Sequence, residues 1–120
     1  MKILVIEDDL SVRETLGMVL ESSHHHVDLI ENGKQALEYL ETAWPDVMLL
    51  DLTLPEMSGE EVFQAILNRF GKTPPTVILS AAQKAADRAR YMAGVLFLAK
   101  PYTIEDLENV LLAVTRKSAA

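Results

Sequence analysis

Five short apolar runs, at residues 3–6, 27–30, 47–50, 76–79 and 95–99, leave few architectures open to this chain. Each is too short for a helix of ordinary length and is bounded by polar or turn-forming residues, so each reads as a strand. The run at 47–50 lies between Pro45 and Pro55 and has no polar member, the pattern of a strand covered on both faces of a parallel sheet. The intervening segments are helix-length and carry their own start signals. Ser11 and Glu14 stand at capping-box spacing, which predicts a first helix over 12–21 with Val12, Leu16, Val19 and Leu20 on one face. Asn32 and Gln35 open a second helix that ends near Thr42, with Ala36, Leu37 and Leu40 inward. Ser58 and Glu61 open a third, carrying Val62, Ile66, Leu67 and Phe70 and stopped by Gly71. The alanine-rich segment 81–92 reads as a fourth. Thr103 and Asp106 cap the last, over 104–116, with Leu107, Val110, Leu111 and Val114 inward.

A strand-helix unit repeated five times predicts right-handed crossovers and an α/β fold. The expected form is a single doubly wound, five-stranded parallel sheet of order 2-1-3-4-5 with five helices, flavodoxin-like. At 120 residues and 49% hydrophobic content, one domain over 1–120 buries roughly two-thirds of its unfolded surface. The chain has no cysteine, which excludes disulfides, thiolate metal sites and cysteine nucleophiles. No apolar run approaches the ~20 residues of a membrane span, and Met1-Lys2 leads into the first strand without a secretory pattern; a cytoplasmic protein is expected. A formal charge of −7 with no basic stripe argues against direct nucleic-acid binding.

With that strand order, the polar residues that end the strands collect at one edge of the sheet. Glu7 and Asp8 follow the first strand, Asp51 the third, Ser80 the fourth and Lys100 the fifth. Two unit charges ~4 Å apart repel by about 1 kcal/mol in water and about 4 at an effective dielectric of 20. A hard divalent cation held by oxygen ligands, Mg²⁺ with Mn²⁺ as substitute, would relieve that repulsion. It would also screen an incoming phosphoryl group and leave Asp51 to attack as a carboxylate nucleophile. Lys100 and the Ser80 hydroxyl suit phosphoryl oxygens. Elsewhere, successive histidines at 24–26 diverge and read as a solvated loop rather than a metal site. Trp44 reads as surface-packed, Phe97 as core and Tyr102 as surface.

Four stretches together resemble the receiver domain of two-component response regulators, of the chemotaxis-regulator kind, over essentially the whole chain. They are I-L-V-I-E-D-D at 3–9, P-D-V-M-L-L-D-L-T-L-P-E-M-S-G at 45–59, V-I-L-S-A at 77–81 and F-L-A-K-P-Y at 97–102. The resemblance implies that Asp51 accepts a phosphoryl group from the phosphohistidine of a sensor histidine kinase or phosphotransfer protein. It implies that Asp8 binds Mg²⁺ directly and Glu7 through water, with the backbone carbonyl of Thr53 completing the protein ligands alongside Asp51. Ser80 and Phe97 then correspond to a switch pair, Lys100 to the family lysine, and Pro101 to a cis proline. A downstream protein partner, itself unidentified, would bind the face formed by the alanine-rich helix, the last strand and the last helix. The implied role is a switch that catalyses only its own phosphorylation and dephosphorylation.

This sequence departs from the family pattern at Leu54 and Ser58. It is also about two residues short between Ser80 and Lys100, with Val95-Leu96 where a polar pair is usual. That shortening keeps open a degenerate receiver that binds a partner without phosphorylation. A phosphohydrolase of the dehalogenase-like type would need a second aspartate where Thr53 stands, and a flavin-binding flavodoxin would need donors where Glu7, Asp8 and Asp9 stand.

Overall fold

Backbone hydrogen bonding in the computed structural model, which describes residues 1–81, 92 and 94–119, joins all five apolar runs into one sheet. The strands are β1 (Lys2–Ile6), β2 (His26–Ile30), β3 (Val47–Asp51), β4 (Thr76–Ala81) and β5 (Leu96–Lys100). All four pairings are parallel and the order is β2-β1-β3-β4-β5, as the alternation predicts. Four helices belong to the described residues: α1 (Leu10–Ser22), α2 (Gly33–Leu40), α3 (Gly59–Phe70) and α4 (Ile104–Ala119). The helix expected at 81–92 lies almost wholly outside the described residues, which carry Ala81 at the end of β4. Among the described residues no helix is long and apolar enough to cross a membrane.

Alternation of side chains along the strands splits the apolar residues into two layers. Leu4, Ile6, Met48, Leu50 and Ile78 face α2 and α3 through Ala36, Leu40, Val62, Phe63 and Ile66. Ile3, Val5, Val47, Leu49, Val77 and Leu79 face α1 and α4 through Leu16, Leu20, Leu107, Leu111 and Val114. Val47 to Leu50 are fully buried, so β3 forms the centre of both layers. Each such side chain contributes about 1.5–3 kcal/mol relative to exposure.

Helix starts follow the local chemistry with one correction. Asn32 accepts from the Gln35 amide, Ser58 and Glu61 form a reciprocal capping box, and Thr103 and Asp106 exchange equivalent bonds. Gly71 closes α3 in the left-handed conformation with φ 75°. At α1, however, the cap is Asp9 and not Ser11. Asp9 Oδ1 accepts from the Val12 amide, and the helix begins at Leu10. Asp9 is already fixed by its own amide bond to Glu7, so the helix starts as soon as the chain leaves the acidic turn. The earlier start leaves Val12 37% exposed rather than inward.

Three other expectations change. Phe97 is not core but 41% exposed. Its neighbours Leu96 and Leu98 pack on the layer shared with α4, so alternation turns Phe97 to the opposite face of an edge strand. Tyr102 is half-buried against that same layer rather than superficial. His25 is not solvated: its side chain is 11% exposed, and its Nε2 lies 3.1 Å from Glu108 Oε2 on α4.

Candidate functional site

Every strand of the central trio contributes to the edge where the strands end. β1 delivers Glu7 and Asp8, β3 ends on Asp51, and β4 carries Ser80 one residue past Leu79, the strand partner of Asp51. Parallel pairing puts Lys100 beside Ala81 at the end of β5, and the Lys100–Pro101 peptide is cis. The chain enters α3 immediately beside Asp51. The Gly59 amide donates to Leu52 O at 2.9 Å, and a Cβ on Gly59 would lie 2.6 Å from the backbone oxygen of Asp51. Only glycine permits that approach. Between them, Glu56 takes a left-handed φ of 66°, a conformation uncommon for a residue with a side chain.

One oxygen from each of Glu7, Asp8 and Asp51 lies within 4.8 Å of the others. Their surroundings differ. Asp8 is exposed, Asp51 is 8% exposed and Glu7 only 2%. Asp51 Oδ1 accepts from the Thr53 amide at 2.9 Å, which fixes the plane of its carboxylate. Glu7 Oε1 accepts from the Asp9 amide at 3.1 Å, whereas Glu7 Oε2 is buried and has no hydrogen-bond partner among the described residues. Lys100 Nζ stands 3.7 Å from both Glu7 Oε2 and Asp51 Oδ2, bridging them electrostatically at a distance longer than a hydrogen bond. Burial, reinforced by the Asp51 carboxylate beside it, pushes the Glu7 carboxyl up to about 7. Tyr102 is raised by burial and by the charge of Glu7.

The structure thus brings together Glu7, Asp8, Asp51 and Lys100. Thr53 joins through its amide, and Ser80 lies half-buried on the neighbouring strand. Phe97 pairs with Ile78 two positions before Ser80 in register and points to solvent. Sequence reading missed Arg13. Its Nη1 donates to Glu7 O at 2.9 Å and to Asp8 O at 3.3 Å. The available signal was electrostatic: a cation close to a helix N-terminus opposes the helix dipole unless a specific partner holds it.

Three acidic oxygens within 4.8 Å of one another, with a buried oxygen of Glu7 that has no hydrogen-bond partner among the described residues, fit a hard cation with oxygen ligands. The same donor set lacks the nitrogen or sulfur that zinc prefers.

Comparison with known proteins agrees with this geometry. The family model for the response regulator receiver domain matches residues 3–112. Response regulator MprA of Mycolicibacterium vanbaalenii is 32% identical over 119 residues, covering 98% of this chain and 51% of that protein. Its counterpart in Mycobacterium ulcerans is 33% identical over the same share of each chain. The chain therefore spans about half the length of these curated relatives. Among solved structures, the Vibrio cholerae chemotaxis protein CheY4 superposes with a TM-score of 0.85 at 25% identity, over 94% of this chain and 97% of that one. The Francisella response regulator 1452 receiver domain, 24% identical over 98% of each chain, shares the fold with a TM-score of 0.83. With the sheet order, the acidic edge and a match over nearly its whole length in agreement, this chain belongs to the response regulator receiver domain family.

Proposed function

We propose that this chain is a phospho-accepting switch in which Asp51 takes a phosphoryl group from the phosphohistidine of a sensor histidine kinase or phosphotransfer protein. The observation that carries the reading is the acidic edge itself: Glu7, Asp8 and Asp51 within 4.8 Å, the orphaned Glu7 Oε2, and Lys100 3.7 Å from two of them. In the transfer, an Asp51 oxygen forms the new bond to phosphorus. The phosphorus–nitrogen bond of the donor breaks, and its electron pair stays on the imidazole nitrogen. Glu7, Asp8, Asp51 and the Thr53 carbonyl would hold Mg²⁺, or Mn²⁺ in its place. The ion supplies positive charge that shields the phosphoryl oxygens from the carboxylates. Lys100 serves as a point charge for a phosphoryl oxygen once Asp51 carries the acyl phosphate, and the Ser80 hydroxyl donates to another.

Phe97 begins exposed on β5, so the switch consists of its ring turning inward as Ser80 moves toward the phosphoryl group. The partner that reads this change binds the face around β5 and α4. The chain is a signalling protein that modifies only itself, acts in the cytoplasm and touches neither nucleic acid nor membrane. Intact-mass measurement after incubation with acetyl phosphate tests the central step. The wild type with Mg²⁺ gains one adduct of ~80 Da, the mass of a phosphoryl group, while Asp51→Asn and the metal-free protein gain none. An adduct on Asp51→Asn at the wild-type rate contradicts the assignment. Absence of any adduct, with active histidine kinases as donors too, favours a receiver that binds its partner without phosphorylation.

A further inference from the structure

The acidic turn that carries two of the three clustered carboxylates is pinned at nearly every backbone group. The Glu7 amide donates to Ile30 O at 3.0 Å, the Asp9 amide to Glu7 Oε1 at 3.1 Å, and Asp9 O accepts from the Arg13 amide at 2.9 Å. The two remaining carbonyls, Glu7 O and Asp8 O, are both held by Arg13 Nη1. We infer that Arg13 is a positioning residue for the cation site: its guanidinium fixes the peptide units of Glu7 and Asp8, and so sets where their carboxylates stand before any ion arrives. This rests on the functional reading above.

The argument is one of preorganisation. Asp8 is exposed, and among the described residues its carboxylate has no hydrogen bond of the kind that holds Glu7 and Asp51, so its position depends on its backbone. Three acids in sequence repel one another and favour an opened turn. A planar guanidinium reaching back from the first turns of α1 closes that turn at two adjacent carbonyls, and it does so without occupying a carboxylate that the ion needs. Arg13 carries positive charge, so simple electrostatics predicts that it weakens cation binding. Clamping predicts the reverse, and the two effects are therefore separable by experiment.

Groups that orient metal ligands from behind typically change metal affinity by about 10–100-fold when removed. The test measures binding of Mn²⁺ by the loss of its free-ion electron paramagnetic resonance signal, with Mg²⁺ as competitor, in wild type, Arg13→Lys and Arg13→Gln. Thermal melting in chelator serves as the control on the metal-free fold. Arg13→Gln is expected to bind about tenfold more weakly and Arg13→Lys in between, since an ammonium has donors for both carbonyls but lacks the rigid planar guanidinium that fixes their geometry. The metal-free melting temperatures should stay close to wild type. Unchanged affinity in both variants, or tighter binding by Arg13→Gln, overturns the inference while leaving the site itself intact. A wild type that binds neither ion overturns both. If Arg13→Gln fails to fold, Arg13→Lys decides: wild-type affinity refutes the clamp, and weaker binding on an unchanged metal-free fold supports it.

Discussion

The two ends of the same sheet are built on opposite terms. Where the strands begin, polar groups are matched by folding alone. Asp46 donates its amide to Lys2 O and accepts from the Lys2 amide through Oδ2; the His26 amide meets Met1 O; the Met48 amide meets Pro75 O; and Thr76 Oγ1 donates to Pro74 O. Where the strands end, three carboxylates crowd together and one buried oxygen has no hydrogen-bond partner among the described residues. Backbone strain does not separate the two ends, because His24 before β2 takes a φ of 68° and Glu56 beyond Asp51 one of 66°. Unsatisfied charge concentrated at one edge of an otherwise consistent fold marks the place where a ligand completes the structure. The contrast separates residues that stabilise this protein from residues that make it responsive.

The largest expected effect lies at the joint between the two. Gly59→Ala places a methyl group 2.6 Å from Asp51 O and 2.7 Å from Leu52 Cα. Backbone on both sides cannot yield, so the variant should lose about 3 kcal/mol in urea unfolding. It should also displace Asp51, reducing phosphoryl incorporation together with stability.

Next comes the charge at the acidic edge. The Glu7 carboxyl titrates at about 7 in the folded protein, above its ordinary 4.5. An acid whose folded value is raised favours the native state most when protonated, so metal-free stability falls as pH rises from about 4.5 to about 7. Glu7→Gln removes that decline. At pH 8 in chelator it should be the more stable protein by about 2 kcal/mol, seen as a higher urea midpoint. Cation binding by the wild type should strengthen with pH through the same interval, because the ion competes with the proton on Glu7.

Smallest is the change at the matched edge. Asp46→Ala removes the acceptor for an exposed Lys2 amide. It should cost about 0.5–1.5 kcal/mol, with Mg²⁺ affinity and phosphoryl incorporation unaltered. A substantial loss of Mg²⁺ response there would erase the distinction between the two ends.

Legibility in the sequence follows the same division. Strand positions follow from the apolar runs and sheet order from the flavodoxin-like winding that their alternation with helices suggests, and the caps at Asn32, Ser58 and Thr103 are local bonds three residues long. The start of α1 was ambiguous because Asp9 and Ser11 both make good caps. The hydrogen bond from the Asp9 amide to the Glu7 side chain two residues back favours Asp9, and its strength depends on how deeply Glu7 is buried. The gathering of Glu7, Asp8, Asp51 and Lys100 was readable because parallel strands all end at one edge. Their inequality was not: the near-complete burial of Glu7 against the exposure of Asp8 depends on how the turn is folded back by Arg13. His25 and Glu108 lie 83 residues apart, and no local pattern announces their contact. Phe97 misled because apolar character on an edge strand does not specify which face is covered.

The most direct test of the central claim compares melting temperatures with and without Mg²⁺ at pH 8 for wild type and Glu7→Gln. An ion at 100 times its dissociation constant stabilises the wild type by about 2.7 kcal/mol, several degrees for a domain of this size. Glu7→Gln should begin higher in chelator and gain much less from Mg²⁺, so that the order of the two proteins narrows or reverses. Equal gains in both proteins, or a Glu7→Gln protein less stable than wild type in chelator, would contradict the view that this edge holds unsatisfied charge for a cation to complete.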